Sequence, residues 1–196
     1  MPQNSNPKRV AIFIDHSNVT HLLSDIRKID PLWIKWYNPR KLAEKLKGNR
    51  TLIGVYFYCS PPPGYLLQEG EKGEKQYWKQ MSYYEAISRL PNTELKYAHL
   101  SGVKGDLREK NLDTQLSTDL IMLAMANKYD VAILVTNDGD YASAVEAVKQ
   151  LGRKIELVYF KHAVSWHLKR ICDVARKARR DFFEELKFAV NNGVVK

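Results

Sequence analysis

The chain has 196 residues, of which 44% are apolar and 27% charged. That composition suits a globular domain large enough to bury about two-thirds of its unfolded surface. No run approaches the roughly 18 uncharged apolar residues of a transmembrane helix, and Cys59 and Cys172 are too few and too far apart for a disulfide framework or a Cys-x-x-Cys zinc site. The formal net charge of +9 suits a polyanionic partner such as nucleic acid, although solubility alone also explains it.

Residues 1–8 read as a polar, disordered lead without an apolar h-region, so the expectation is a cytoplasmic protein with no signal peptide. The run Val10–Asp15 (VAIFID) then predicts a buried strand that ends on a carboxylate and continues His16-Ser17-Asn18. Val19, Leu22, Leu23 and Ile26 follow at helical spacing, with Ser17 or Asn18 as the expected cap. Asp30–Tyr37 is an aromatic-rich connection. Asn38-Pro39 starts a helix carrying Leu42, Ala43 and Leu46, which Gly48 stops. Thr51–Cys59 is a second buried strand, ended by Ser60-Pro-Pro-Pro-Gly64. The Glu-, Lys- and Gly-rich stretch that follows predicts a mobile loop to about residue 76. A helix over about 75–90 then presents Tyr77, Trp78, Met81 and Tyr84 to the core.

Glu94–Leu100 predicts a third strand and Ser101–Lys110 a basic loop. Leu112–Asn127 is the strongest helical segment. Leu112, Leu116, Leu120 and Leu123 share one face, and LIMLAMA makes the later turns apolar nearly all round, as in a buried helix. Val131–Tyr141 (VAILVTNDGDY) is a fourth apolar run that stops at Asp138 and Asp140. Ala144, Val145, Val148 and Leu151 form a helix that Gly152 ends, and Ile155–Phe160 is a fifth strand. From Lys161 the chain reads as a basic helical extension of the 9–160 domain.

Strands alternating with helices imply right-handed crossovers and an α/β fold with a doubly wound, mainly parallel sheet. Ligand sites in such folds lie at the carboxyl edge, where the chain changes direction across the sheet. If the first and fourth strands are neighbours, Asp15 and Asp138 end adjacent strands about 4.8 Å apart. Like charges so close call for a cation or raised pKa values. Mg²⁺ or Mn²⁺ suits such an oxygen site, and a metal-bound water can attack a phosphodiester. Asp113 and Asp119 are six residues apart on one helix, about 9 Å in rise and about 120° in direction. They therefore cannot both point squarely at one ion from a regular helix.

The ordered series FIDHSN at 13–18, EKNLD at 109–113, TDLIMLAMA at 118–126 and VTNDGDYASAVEAVKQLG at 135–152 resembles the NYN domain. The match is nearest to the bacterial LabA-like branch of the PIN-like nuclease superfamily. The resemblance spans about residues 9–160 and implies a three-layer α/β/α sandwich and metal-dependent cleavage of single-stranded or locally unpaired RNA. Carried over by position, it implies Asp15, Asp119 and Asp138 as catalytic and metal-binding residues, supported by Asn18, Asp113 and Asp140. Two departures from the family pattern stand out: His16 stands where Gly is common, and Thr136-Asn137 where Ser-Gly is common. Lys104, Arg108, Lys110, Arg176, Lys177, Arg179 and Arg180 are the candidate phosphate contacts. The competing expectation is a non-catalytic RNA-binding or regulatory module that retains the acids, and a homodimer is left open. Neither a Gly-x-Gly-x-x-Gly turn nor a Gly-rich Lys-Ser/Thr loop is present, which argues against dinucleotide and P-loop nucleotide binding.

Overall fold

The alternating apolar residues of β1 (Arg9–Asp15) face opposite sides of a six-stranded sheet. In this computed structural model residues 7–30, 36–102, 106, 108–160, 164–188, 190–191 and 194–195 are described. Strands β2 (Thr51–Cys59) and β3 (Thr93–Tyr97) lie on one side of β1. On the other lie β6 (Val131–Val135), β7 (Lys154–Tyr159) and β8 (Val174–Lys177). All five ladders are parallel. The first and fourth apolar runs of the sequence are therefore neighbours, and the sheet is doubly wound about the β1–β6 pair.

Val10, Ile12 and Ile14 enter one core with α1 (His16–Ile29), α2 (Pro39–Lys47) and α3 (Gly70–Ser88). Ala11 and Phe13 enter the other with α4 (Leu112–Met125), α5 (Ala142–Gln150) and α6 (Trp166–Ile171). The result is a three-layer α/β/α sandwich. Among the described residues no helix is long and apolar enough to cross a membrane.

Several local features differ from the sequence expectations, each for a physical reason. The cap of α1 is Asp15 itself, whose carboxylate accepts from the Asn18 amide at 3.1 Å, so neither Ser17 nor Asn18 fills that role. Within the stretch expected to be a mobile loop, Gly64–Gln68 forms a 3₁₀ turn anchored by buried Leu66, and α3 begins at Gly70. Gly73 allows this seating: a Cβ there would lie 2.2 Å from the Leu66 carbonyl oxygen. The expected third strand divides after Tyr97. Ala98 still donates to the Cys59 carbonyl, whereas β4 (His99–Ser101) turns away to pair antiparallel with β5 (Arg108–Lys110). Helix α4 buries Leu112, Leu116, Leu120 and Ala124 but leaves Met122 and Met125 exposed, so it is not enclosed all round.

The expectation of a helical extension after Lys161 is also corrected. Asp173 donates its amide to the Ile155 carbonyl and accepts from the Ile155 amide through Oδ2, which stitches the chain onto β7. VARK then runs as the edge strand β8, and its exposed basic residues suit an edge. The short helix α7 (Arg180–Glu184) drops Phe183 into the core beside Tyr37 and Phe160. Strands β9 (Val190–Asn191) and β10 (Val194–Val195) form a small hairpin. The expected disordered lead falls mostly outside the described residues. Lys8 is described, and its carbonyl accepts from the Thr51 amide.

Candidate active site

Because β1 and β6 are parallel and in register from Val10↔Val131 to Ile14↔Val135, their carboxyl ends open side by side. Asp15 finishes β1 and is 2% exposed. Its Oδ2 accepts from three groups: Asn18 Nδ2 at 2.7 Å, the Tyr141 hydroxyl at 3.0 Å and the Thr136 hydroxyl at 3.2 Å. Burial raises its pKa above the ordinary carboxylate value, and these hydrogen bonds oppose that rise without cancelling it. A buried carboxylate that resists ionisation is thus built into the strand end.

The turn after β6 is held by its own side chains. Thr136 Oγ1 accepts from the Asp138 amide at 3.1 Å, and Asp138 Oδ1 accepts from the Asp140 amide at 3.0 Å. Gly139 permits the start of α6 to approach, since a Cβ there would lie 2.8 Å from Ser165 Cβ. Asn18 Oδ1 accepts from the Asn137 amide at 3.3 Å, and Asn137 Oδ1 accepts from the Phe160 amide at 2.8 Å. The two asparagines so tie the start of α1 to the ends of β6 and β7.

Tyr141 lies at the centre of the acids. Burial raises its pKa first, and the charges of Asp15, Asp138 and Asp113 add to the rise. Asp113 occupies the first turn of α4 and is exposed, where a negative charge also favours the helix dipole. Asp140 is exposed on the turn. Asp119 stands apart. Its Oδ2 accepts from the Tyr58 hydroxyl and pairs with Lys96 Nζ, both at 2.8 Å. Among the described residues no three His, Cys, Asp or Glu side chains gather closely enough to hold one ion between them. The separation of Asp113 and Asp119 along α4 agrees with their helical spacing.

His16 points away from the acids into the aromatic core. Its Nδ1 lies 3.2 Å from the Tyr37 hydroxyl and its Nε2 3.2 Å from Thr20 Oγ1, with Phe57 and Tyr83 rings nearby. Burial pulls its pKa down to about 3, so it is a neutral core residue. Glu109 joins β5 to the site region, accepting from Ser17 Oγ at 2.8 Å and from Ser60 Oγ.

The candidate phosphate contacts scatter. Lys110 is exposed on β5, next to Glu109. Lys104 and the side chains of Arg108 and Arg180 lie outside the described residues. Arg176 pairs with Glu156 at 3.4 Å, and Lys177 and Arg179 line a surface hollow with Lys45. Strand β8 is three strands from β1, about 14 Å at the usual spacing. Tyr141, Tyr58 and Lys96 were not singled out from the sequence, and Thr136 was noted only as a departure from the family pattern. For Tyr141 the signal was present in the aromatic residue that follows Asp138-x-Asp140.

The NYN domain family matches residues 9–178. The chain belongs to the NYN domain family. Membership makes it a PIN-like nuclease superfamily protein, and the match runs past the 9–160 span of the motifs to include β8. Among solved structures, a protein of unknown function from Vibrio parahaemolyticus RIMD 2210633 is similar, with a TM-score of 0.60 and 15% identity over 99% of both chains. At that identity the likeness supports the fold alone. Among curated proteins none matches the sequence significantly.

Proposed function

We propose that this NYN domain is a metal-dependent ribonuclease acting on single-stranded or locally unpaired RNA, with Asp15 and Asp138 at its centre. The observation that carries the reading is Asp15, a buried carboxylate whose ionisation is disfavoured while Asp138 and Asp113 add negative charge around the same phenol. A divalent cation would relieve that arrangement. The donors are all oxygen, and Mg²⁺ commonly binds through one or two carboxylates, keeping several waters. Asp15 and Asp138 are the residues that would hold it, with Asp113 and Asp140 in support. When bound, such an ion acidifies a water and draws charge from the phosphoryl oxygens.

The remaining chemistry belongs to the chain. Tyr141, Thr136 and Asn18 fix the Asp15 carboxylate by three hydrogen bonds to Oδ2, so it need not reorganise during reaction. Asn18 adds no negative charge while it positions the carboxylate. Asp119 is held by the Tyr58 hydroxyl and by Lys96, which Glu94 shares. That pairing, and the lack of a three-acid cluster among the described residues, favour a second reading, in which the domain binds RNA without cutting it.

Labelled RNA incubated with the protein and Mn²⁺, with chelator and Asp15→Asn as controls, separates the two readings. Cleavage that requires both metal and Asp15 is expected. Cleavage that persists in Asp15→Asn would mark contamination, and binding without cleavage would favour the second reading. Calorimetry with Mn²⁺ should show weakened binding in Asp138→Asn, and equal affinity would remove Asp138 from the site.

A further inference from the structure

Beside the acids, a cleft of about 490 Å³ lies between α1 and α3. Ser17, Thr20, Ser24 and Arg27 form its α1 wall, at a spacing that keeps them on one face of the helix. Gln76 and Gln80 line it from α3. From Ser17 to Arg27 the helix rises about 15 Å, so the cleft runs outward from the end that Asp15 caps. Glu109, bonded to Ser17, closes the near end. At the far end, Arg27 Nε is buried and has no hydrogen-bond partner.

Burying a guanidinium nitrogen without an acceptor is costly. An anion seated on the outer guanidinium nitrogens offsets that cost electrostatically, and guanidinium geometry matches phosphate oxygens. Between the two charged ends the polar lining is hydroxyl, amide and imidazole. Those groups offer the donors and acceptors that base edges need, without a net charge to select against them. Trp36 and Tyr84 add apolar wall. We propose that this cleft seats one nucleotide of the RNA strand, with its base between α1 and α3 and its phosphate on Arg27. The proposal deepens the RNA reading above: it gives the strand a direction, away from the acids and along α1.

The test uses 5′-adenosine monophosphate, adenosine and inorganic phosphate as probes of the whole chain without metal. The monophosphate should shift the indole N–H resonance of Trp36. Adenosine should bind about tenfold more weakly, because one charge-assisted pair is missing, and phosphate alone should leave Trp36 unmoved. Arg27→Gln should bring the monophosphate to the level of adenosine, and Arg27→Lys should recover part of the loss. In chelator, Arg27→Gln should also weaken binding of single-stranded RNA about tenfold. A Trp36 signal unmoved by the monophosphate, or equal affinity in wild type and Arg27→Gln, overturns the proposal. If the monophosphate is seated as described but no RNA is cut, the ribonuclease reading fails and the cleft stands. RNA cut in Mn²⁺ equally well by Arg27→Gln gives the reverse.

Discussion

Asp15 serves both as the proposed catalytic centre and as a structural acceptor, and two substitutions separate these roles. In Asp15→Ala the hydroxyls of Tyr141 and Thr136, 1% and 0% exposed, lose their acceptor. Two buried unsatisfied donors cost about 1–3 kcal/mol each, and the lost cap at the Asn18 amide about 1 kcal/mol more. The sum of about 3–7 kcal/mol should lower the melting temperature by roughly 6–28 °C in a chain of this size. Asp15→Asn keeps the shape and one carbonyl acceptor, and both hydroxyls are able to rotate and accept from the new amide. It also removes a buried charge, so its stability at neutral pH should lie within about 1 kcal/mol of wild type.

The pH dependence follows from the raised pKa of Asp15. A folded pKa above the unfolded value makes the carboxyl's contribution greatest below about pH 3.9, and that contribution is lost as pH rises through the folded value. The asparagine lacks this dependence, while His16 is common to both proteins. Stability relative to Asp15→Asn should therefore move in favour of wild type as pH is lowered from 7 towards 4. Denaturant unfolding at several pH values, followed by circular dichroism, reads this difference. Equal destabilisation by Ala and Asn, or a difference that moves the other way with acid, would refute the reasoning.

Two further outcomes follow from groups outside the acids. His16, held neutral by burial with a pKa of about 3, should show a ring C–H resonance that stays constant between pH 5 and 8. Its stabilising effect, complete above the unfolded value of about 6.5, should fade as pH falls towards 3 and be absent from His16→Phe; titration of the resonance near pH 6.5 would contradict its core placement. Glu156 is 9% exposed and accepts from Arg50 at 2.6 and 3.2 Å while pairing with Arg176. Glu156→Ala should cost about 3 kcal/mol by stranding Arg50, whereas Arg176→Ala should cost under about 1 kcal/mol; similar losses in urea unfolding would show that the edge strand depends on Arg176.

The parallel core could be read from local sequence because its strands are buried on both faces, which leaves uninterrupted apolar runs such as VAIFID and VAILV. Their terminal acids marked the carboxyl edge for the same reason: a charge cannot continue a buried strand. Helix α2 could be read as well, since Asn38 caps through its own side chain and Gly48 turns at φ +58°. Other features depended on partners distant in the chain. Strand β8 exists because β7 offers a free edge and Asp173 reaches Ile155, contacts that a basic, polar stretch does not announce. The start of α3 rests on Gly73 fitting against the Leu66 carbonyl. Asp119 carried a stronger acid signal than Asp113 and was expected in the metal set, but Tyr58 and Lys96 from neighbouring strands bind it. Asp15, Thr136 and Tyr141 lie up to 126 positions apart, and their convergence on one oxygen is a property of strand order. Periodicity and capping are written in neighbouring residues, whereas the charge state and partners of a buried carboxylate depend on what the fold brings beside it.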